Sequence, residues 1–216
     1  MVEAEPDDQG LVEEAARAAL ARRFPERVKN LEAYAEMLRT RGIEWGLLGP
    51  REAEKVWSRH ISNSLALVDV LGLGTDVADV GSGAGLPGIP LALCRDDLRM
   101  TLLEPLLRRH NFLTLAVEEL GLGERVRVER LRAEDCDETF DVVTCRAVAP
   151  LEKLLKWTIP MFFPGGELLA LKGVGAEEEI EAARKRLGKC GLTAQVLHVR
   201  AVPEIEGTRA IRVLAK

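Results

Sequence analysis

The sequence predicts a doubly wound α/β fold: a mostly parallel, seven-stranded sheet that ends in an antiparallel C-terminal hairpin and carries an N-terminal helical cap. Three observations carry that prediction. Residues 1–72 place apolar side chains at helical spacing with no strand signal. After Gly72 and Gly74, short apolar runs alternate with helical segments, the signature of βαβ units. The last two strand-like runs are joined by a loop short enough to allow only antiparallel pairing.

Within the cap, Leu11, Ala15, Ala18 and Ala19 define the apolar face of a first helix, and Val28, Leu31, Ala35 and Leu38 that of a second. Gly42 is expected to end the second helix and Pro50 to open a third. From 52 to 71, Ala53, Val56, Trp57, His60, Ile61, Ser64, Leu65 and Val68 fall on one face. The expected division is a cap over 1–72, its first 24 residues an acidic extension, and a sheet domain over 73–216.

Strands are expected at Val77–Val80, Met100–Glu104, Val126–Leu131, Phe140–Cys145 and Glu167–Lys172, with helices at Pro87–Cys94, Pro105–Leu120, Leu151–Phe162 and Ala176–Cys190. Arg125–Arg130 alternates charge with valine, which suits a sheet edge because charges discourage edge-to-edge association. Thr193–Val202 and Arg209–Ala215 form the hairpin, joined through Pro203–Thr208.

Composition narrows the function classes. The chain has 216 residues, 47% hydrophobic and 30% charged, so it can bury a core. Its net charge of −5 gives no bulk attraction to nucleic acid or to an anionic membrane, so any RNA contact must come from a local basic patch. No apolar run approaches the roughly 18 residues of a membrane span. The acidic start (Glu3, Glu5, Asp7, Asp8) is unlike a signal peptide. Four cysteines are scattered without metal-ligand spacing. These features predict a cytoplasmic protein with reduced thiols and no metal.

The chemistry-bearing stretch is Asp79-Val80-Gly81-Ser82-Gly83-Ala84-Gly85-Leu86-Pro87-Gly88, a strand running through a glycine turn into a helix. Glycines there let a ligand approach the backbone and its N–H groups. Pro87 suits the first helical turn. A dinucleotide fingerprint fits only from Gly83 through Gly85 to Gly88, two residues late for a strand ending near Val80. The register Gly81-x-Gly83-x-Gly85 after an in-strand acid is that of S-adenosylmethionine enzymes. A nicotinamide or flavin site and a turn made for packing alone remain open. Glu104, closing the second strand, suits ribose hydroxyls in either cofactor, or is a surface acid at a helix N-terminus. Glu134, after the third strand, suits an adenine amine, or is a solvated loop carboxylate.

With the fourth strand the pattern becomes specific. Asp79–Leu91, Leu102-Leu103-Glu104, Ala133-Glu134-Asp135, Asp141–Ala147 and Leu169–Gly173, in this order and spacing, resemble the RsmG (GidB) family of 16S ribosomal RNA methyltransferases. Arg59-His60 and Asn63-Ser64-Leu65 resemble that family's helical N-terminus, and the similarity spans roughly residues 25 to 216. At Trp45–Pro50 the chain departs from the Asn-Leu-Thr-like segment of many members. The resemblance implies a Rossmann-like methyltransferase sheet. It also implies transfer of a methyl group from S-adenosylmethionine to guanine N7 in the decoding region of small-subunit RNA. By motif it implies that Gly81, Leu86, Ala133, Glu134 and Arg146 line the cofactor site, to which the glycine turn and the second strand's end add Gly83, Gly85 and Glu104. The partner would be 16S RNA or the small ribosomal subunit, met by a monomer.

Guanine N7 carries a lone pair and no proton, so its methylation needs no general base. This agrees with the three histidines, which form no acid–base constellation. What such a reaction needs is alignment of the methyl group and N7 at about 3–3.5 Å. Arg146 is the expected catalytic residue, orienting the site through hydrogen bonds to guanine O6, a phosphate or the cofactor; the alternative is a structural pairing with a carboxylate. Lys172 and Arg59 are candidate phosphate contacts, and Arg22, Arg23, Arg27, Lys29, Arg108, Arg109, Lys153 and Lys156 a candidate basic rim, or else ordinary solvated side chains. Trp157 and His60 are expected in the core. The competing functions are methylation of a small molecule, a nicotinamide-dependent oxidoreductase, and an RNA chaperone without catalysis.

Overall fold

A computed structural model describes residues 8–216; the acidic Glu3, Glu5 and Asp7 lie outside them. One sheet runs through the molecule in the order β3-β2-β1-β4-β5-β7-β6. Its strands are β1 Asp76–Val80, β2 Arg99–Leu103, β3 Val126–Glu129, β4 Val142–Arg146, β5 Glu167–Lys172, β6 Leu192–Val199 and β7 Thr208–Ala215. β1 to β5 pair in parallel. β7 is antiparallel to both β5 and β6. The expected fold class therefore holds, with the charged, alternating β3 at an edge. β4 begins later than expected because the Phe140 N–H goes to Met161 O at 2.7 Å instead of to a neighbouring strand.

The parallel strands are connected by α6 Gly88–Cys94, α7 Leu107–Glu119, α8 Leu151–Phe162 and, before the hairpin, α9 Ala176–Lys189. α9 places Glu177, Glu178 and Glu179 in its first turn and Arg186 and Lys189 in its last, which complements the helix dipole. Pro87 precedes the first helical residue of α6 instead of lying within it.

Side-chain alternation divides the sheet. Ala78, Val80, Val143, Cys145, Leu168 and Ala170 pack with α8 and α9. Val77, Met100, Leu102, Val142, Leu169 and Leu171 pack on the other side, in one cluster with the N-terminal helices, α6 and α7. By the same period of two, Asp79 of β1 and Arg146 of β4 belong to the cap-facing side. The polar groups that matter most thus project toward the cap.

The cap comprises α1 Asp8–Arg23, α2 Val28–Arg39, α3 Arg41–Glu44, α4 Pro50–Ala53, a π-helical turn Val56–Ile61 and α5 Ser62–Leu65. Three expectations need correction. Gly42 lies inside α3 instead of ending α2. The 52–71 face is buried as expected, but it is not one helix: the His60 N–H reaches back to Lys55 O at 3.2 Å, widening the backbone into the π-turn. The first helix buries Glu13, Ala16, Ala19 and Leu20, while Leu11 and Ala15 stay exposed.

Glu13 explains the rotation of α1. Its carboxylate accepts the Trp57 N–H at 2.9 Å and the Ser58 N–H at 2.8 Å, and meets Arg39 Nη2 at 3.3 Å. Those are orphan donors of the π-turn's N-terminus, satisfied from another helix. Glu13→Ala strands both and is expected to lower unfolding free energy by about 2 kcal/mol, read from urea denaturation. A loss below about 0.5 kcal/mol would show that water replaces the carboxylate at no cost.

Several arginines expected on a basic rim instead make contacts within the protein. Arg22 pairs with Glu204 at 2.9 Å and Arg27 with Asp96, both across to the sheet domain, while Arg23 pairs with Asp69 inside the cap and donates to Ala201 O across the boundary. Each of these three charges is paired with a neighbouring carboxylate.

Candidate functional site

The glycine turn leaves β1 at the centre of the sheet, where parallel strands present their carboxyl ends to a ligand. Gly81 has φ +65°, and a Cβ on it would sit 2.9 Å from Val148 Cγ2, so the loop after β4 closes directly on the turn. Gly85 has φ +96°, and a Cβ there would lie 3.1 Å from Tyr34 Oη. Tyr34, fully buried on α2, donates to Ala84 O at 2.7 Å. The cap therefore pins the far side of the turn. Sequence reading missed this residue, although it lies on the same buried face as Leu31 and Leu38.

The turn does not offer its N–H groups as expected. Gly81 and Ser82 donate to Leu103 O at 2.9 and 3.2 Å, Gly83 to Glu104 Oε2 at 3.1 Å, and Gly85 to Ser82 O at 2.7 Å. What faces a ligand is bare backbone with two carboxylates set behind it. Glu104 is 1% exposed and its Oε1 also accepts the Leu106 N–H at 2.9 Å, so it is no surface acid. Asp79 is 0% exposed. One of its oxygens accepts the Gly88 N–H at 3.0 Å, and the other has no partner.

This arrangement tests which cofactor fits. A dinucleotide needs free N–H groups and a positive field for its pyrophosphate. Here Gly81, Ser82, Gly83 and Gly85 spend their N–H groups within the protein, and the Glu104 carboxylate stands behind the turn. A phosphate-free nucleoside carrying a sulfonium cation meets no such conflict. The residues present fit S-adenosylmethionine and not a nicotinamide dinucleotide.

Burial pushes the Asp79 carboxyl up to about 7, against the lowering effect of the Gly88 N–H. The folded state thus holds a proton that the unfolded chain releases near 3.8. Stability from this group is full below about pH 4 and lost as pH rises toward 7. Asp79→Asn is expected to stabilise the protein at pH 8 by about 2 kcal/mol, with the gain shrinking toward pH 4. Urea unfolding at the two pH values checks this, and a gain independent of pH would refute it.

At the end of β3, Ala133–Asp135 form a 3₁₀ turn. Ala133 is buried in the apolar cluster with Val80 and Leu103, while Glu134 is exposed beside it. Leu86 is buried in the cap-side cluster. The expected lining residues thus stand at the carboxyl ends of β1, β2, β3 and β4.

A cleft of about 570 Å³ opens next to the turn, lined by Glu52, Arg59, His60, Asn63, Arg146 and the following loop to Pro150, and by Lys172. Arg146 closes β4 and is followed by Ala147 at φ +55°, a conformation a non-glycine residue adopts only under constraint. Burial lowers the pKa of its guanidinium, and Asp79 and Tyr34 act on it through space. Its Nη2 donates to His60 Nδ1 at 3.1 Å. It forms no ion pair with any described carboxylate, so the structural pairing held open above is not what positions it. His60 is buried as expected, and burial followed by the Arg146 charge lowers its pKa to about 4.

Lys172 is committed elsewhere. Its Nζ donates to Ala149 O and to Glu179 Oε2, both at 2.7 Å, and it is nearly buried. Glu179 also accepts the Leu151 N–H at 2.7 Å. The expected phosphate contact is instead a tie that fixes the loop after β4. Arg59 pairs with Glu52 Oε1 at 3.1 Å but stays more than half exposed at the cleft mouth. Lys153 lies over the Trp157 ring, 5.1 Å from its centroid, and Trp157 is partly buried against the α8/α9 cluster. Among the described residues no group of three or more His, Cys, Asp or Glu side chains could hold a metal ion, and no helix is long and apolar enough to cross a membrane.

Comparison with known proteins gives a concordant result. The family model described as GidB, rRNA small subunit methyltransferase G, matches residues 27–206. Curated relatives named ribosomal RNA small subunit methyltransferase G include that of Streptomyces avermitilis, 53% identical over 86% of this chain and 78% of its own. Another, from Kineococcus radiotolerans, is 49% identical over 90% of this chain and 78% of its own. Among solved structures, the tRNA methyltransferase TrmK of B. subtilis superposes with a TM-score of 0.55 at 15% identity, covering 71% of this chain and 65% of its own. The mitomycin 7-O-methyltransferase MmcR gives a TM-score of 0.60 at 17% identity, covering 77% of this chain and 57% of its own. These two share the fold.

Proposed function

The chain belongs to the GidB family of small-subunit rRNA methyltransferases, and from that premise we propose that it methylates N7 of a guanine in 16S RNA, as a cytoplasmic monomer. It is an S-adenosylmethionine-dependent rRNA methyltransferase. The observation that supports N7 is the character of the cleft. Every titratable group near Arg146 is already engaged or kept from acting as a base. His60 is neutral, with its Nδ1 lone pair occupied by Arg146. Glu52 is tied to Arg59, and Asp79 is sealed beneath the turn. A nucleophile that must lose a proton finds no partner here; N7 loses none.

Gly81, Gly83, Gly85, Leu86, Glu104, Ala133, Glu134 and Arg146 would hold the cofactor, Glu104 toward its ribose and Glu134 toward its adenine. When bound, the cofactor supplies an electrophilic methyl group. The protein's own part is orientation. Arg146 lines the cleft, and its remaining N–H groups suit O6 or a phosphate of the guanine nucleotide. They would oppose the reaction if aimed at N7, because an arginine fork on O6 and N7 together occupies the attacking lone pair. The target base must leave its stack to reach the cleft, and Arg59 at the mouth is placed for a phosphate.

The test is transfer of labelled methyl from S-adenosylmethionine to unmodified 16S RNA, with cleavage chemistry specific for N7-methylguanine. One modified guanine is the expected result. Label on a small molecule, with substrate binding insensitive to salt, would favour the small-molecule reading instead.

A further inference from the structure

We propose that His60 is a positioning residue: the cap delivers its imidazole to the end of β4, where Nδ1 accepts from Arg146 and sets the guanidinium at the transfer cleft, while Glu52 holds the imidazole tautomer. This rests on the role given to Arg146 above. Arginine has only donors, so the 3.1 Å contact between Arg146 Nη2 and His60 Nδ1 requires the lone pair on Nδ1 and the proton on Nε2. Nε2 lies 3.2 Å from Glu52 Oε2. That approach is off the hydrogen-bond line, leaving Nε2 without an aligned partner, so the carboxylate acts mainly through its charge. It favours a proton on the near nitrogen.

The surroundings make this arrangement selective. The charged groups facing the imidazole are Arg146 from β4, Glu52 from α4 and Arg59 from its own π-turn. A protonated His60 would confront two arginines and have no acceptor for Arg146. The π-turn matters as well. It carries Val56, Trp57, His60 and Ile61 into the buried face together, so the imidazole is fixed by its neighbours and not by its own rotamer alone. Arg146, largely buried and unpaired by any described carboxylate, has His60 as its one acceptor among the described residues.

The experiment compares His60→Phe with His60→Asn. Phenylalanine keeps the bulk and removes the acceptor; asparagine restores an acceptor oxygen near the Nδ1 position. His60→Phe is expected to lower kcat by about 10- to 100-fold with KM for RNA and cofactor affinity by calorimetry within threefold. His60→Asn is expected to recover most of kcat. Equal kcat in the two variants overturns the proposal. A measurement on unmutated protein stands beside it: ¹⁵N spectra of histidine-labelled protein at pH 7 are expected to show His60 with a bare Nδ1 and protonated Nε2. In Arg146→Ala only the His60 Nδ1 resonance should move, with those of His110 and His198 unchanged. A proton on Nδ1, or no shift, overturns the proposal. If Arg146→Ala itself methylates at the full rate, the underlying role of Arg146 fails instead, which separates the two conclusions.

Discussion

Replacing Arg146 with alanine is expected to lower kcat/KM for methyl transfer about 100-fold or more while leaving the fold as stable as before, or more stable by about 1 kcal/mol. The two halves come from one fact. Arg146 holds a positive charge in a largely buried position with one neutral acceptor, His60, and no carboxylate. A cation placed for stability would be paired there. The cost of the unpaired charge is borne by the rest of the fold, and the constrained Ala147 backbone beside it has the same character. Arg146→Lys keeps the charge but loses the planar fork, so its single nitrogen cannot reach both His60 Nδ1 and a substrate acceptor in the guanidinium's directions; it is expected to restore no more than about tenfold. Thermal unfolding and single-turnover methylation on the same preparations decide the matter. A variant that is both destabilised and active would mean Arg146 is a structural residue.

The residues at this site differ in how far the sequence revealed them. The glycine turn, Glu104 and Arg146 were legible because each stands at the end of a short apolar run, and strand ends are where such a sheet binds ligands. That Asp79 and Arg146 share one side of the sheet needed the pairing of β1 with β4 as well as alternation. Contacts across long stretches of chain were not legible. Tyr34 and Ala84 are 50 residues apart, and His60 and Arg146 are 86 apart. Nothing in periodicity links such pairs. The rotation of α1 escaped for a different reason: hydrophobic spacing selects Leu11 and Ala15, but the buried acceptor role of Glu13 decides the face. Lys172 and the arginines of the cap show the converse. Composition counts cations, while only the fold shows that Glu179, Glu204, Asp69 and Asp96 already neutralise them.

Gly85→Ala is expected to weaken S-adenosylmethionine binding about 30-fold or more and to cost about 3 kcal/mol of stability. Two separate penalties combine. At φ +96° an alanine is strained wherever it sits. Its Cβ would also collide with Ile89 Cδ1, the atom valine lacks, and fall 2.8 Å from Ile89 Cγ1 and 3.1 Å from Tyr34 Oη. Neither neighbour yields easily, because Ile89 and Tyr34 are fully buried and the tyrosine hydroxyl is held on Ala84 O. Relief would push the turn away from the cap, toward the space proposed for the cofactor. The penalties can be separated. Ile89→Val trims the crowding at its own cost of about 1 kcal/mol and leaves the backbone strain. In the double variant, cofactor affinity should recover partly and stability should fall by less than the sum of the two single effects. Strict additivity, measured by calorimetry and urea unfolding, would show that the turn and α6 do not share this contact, and that the glycine serves its backbone angle alone.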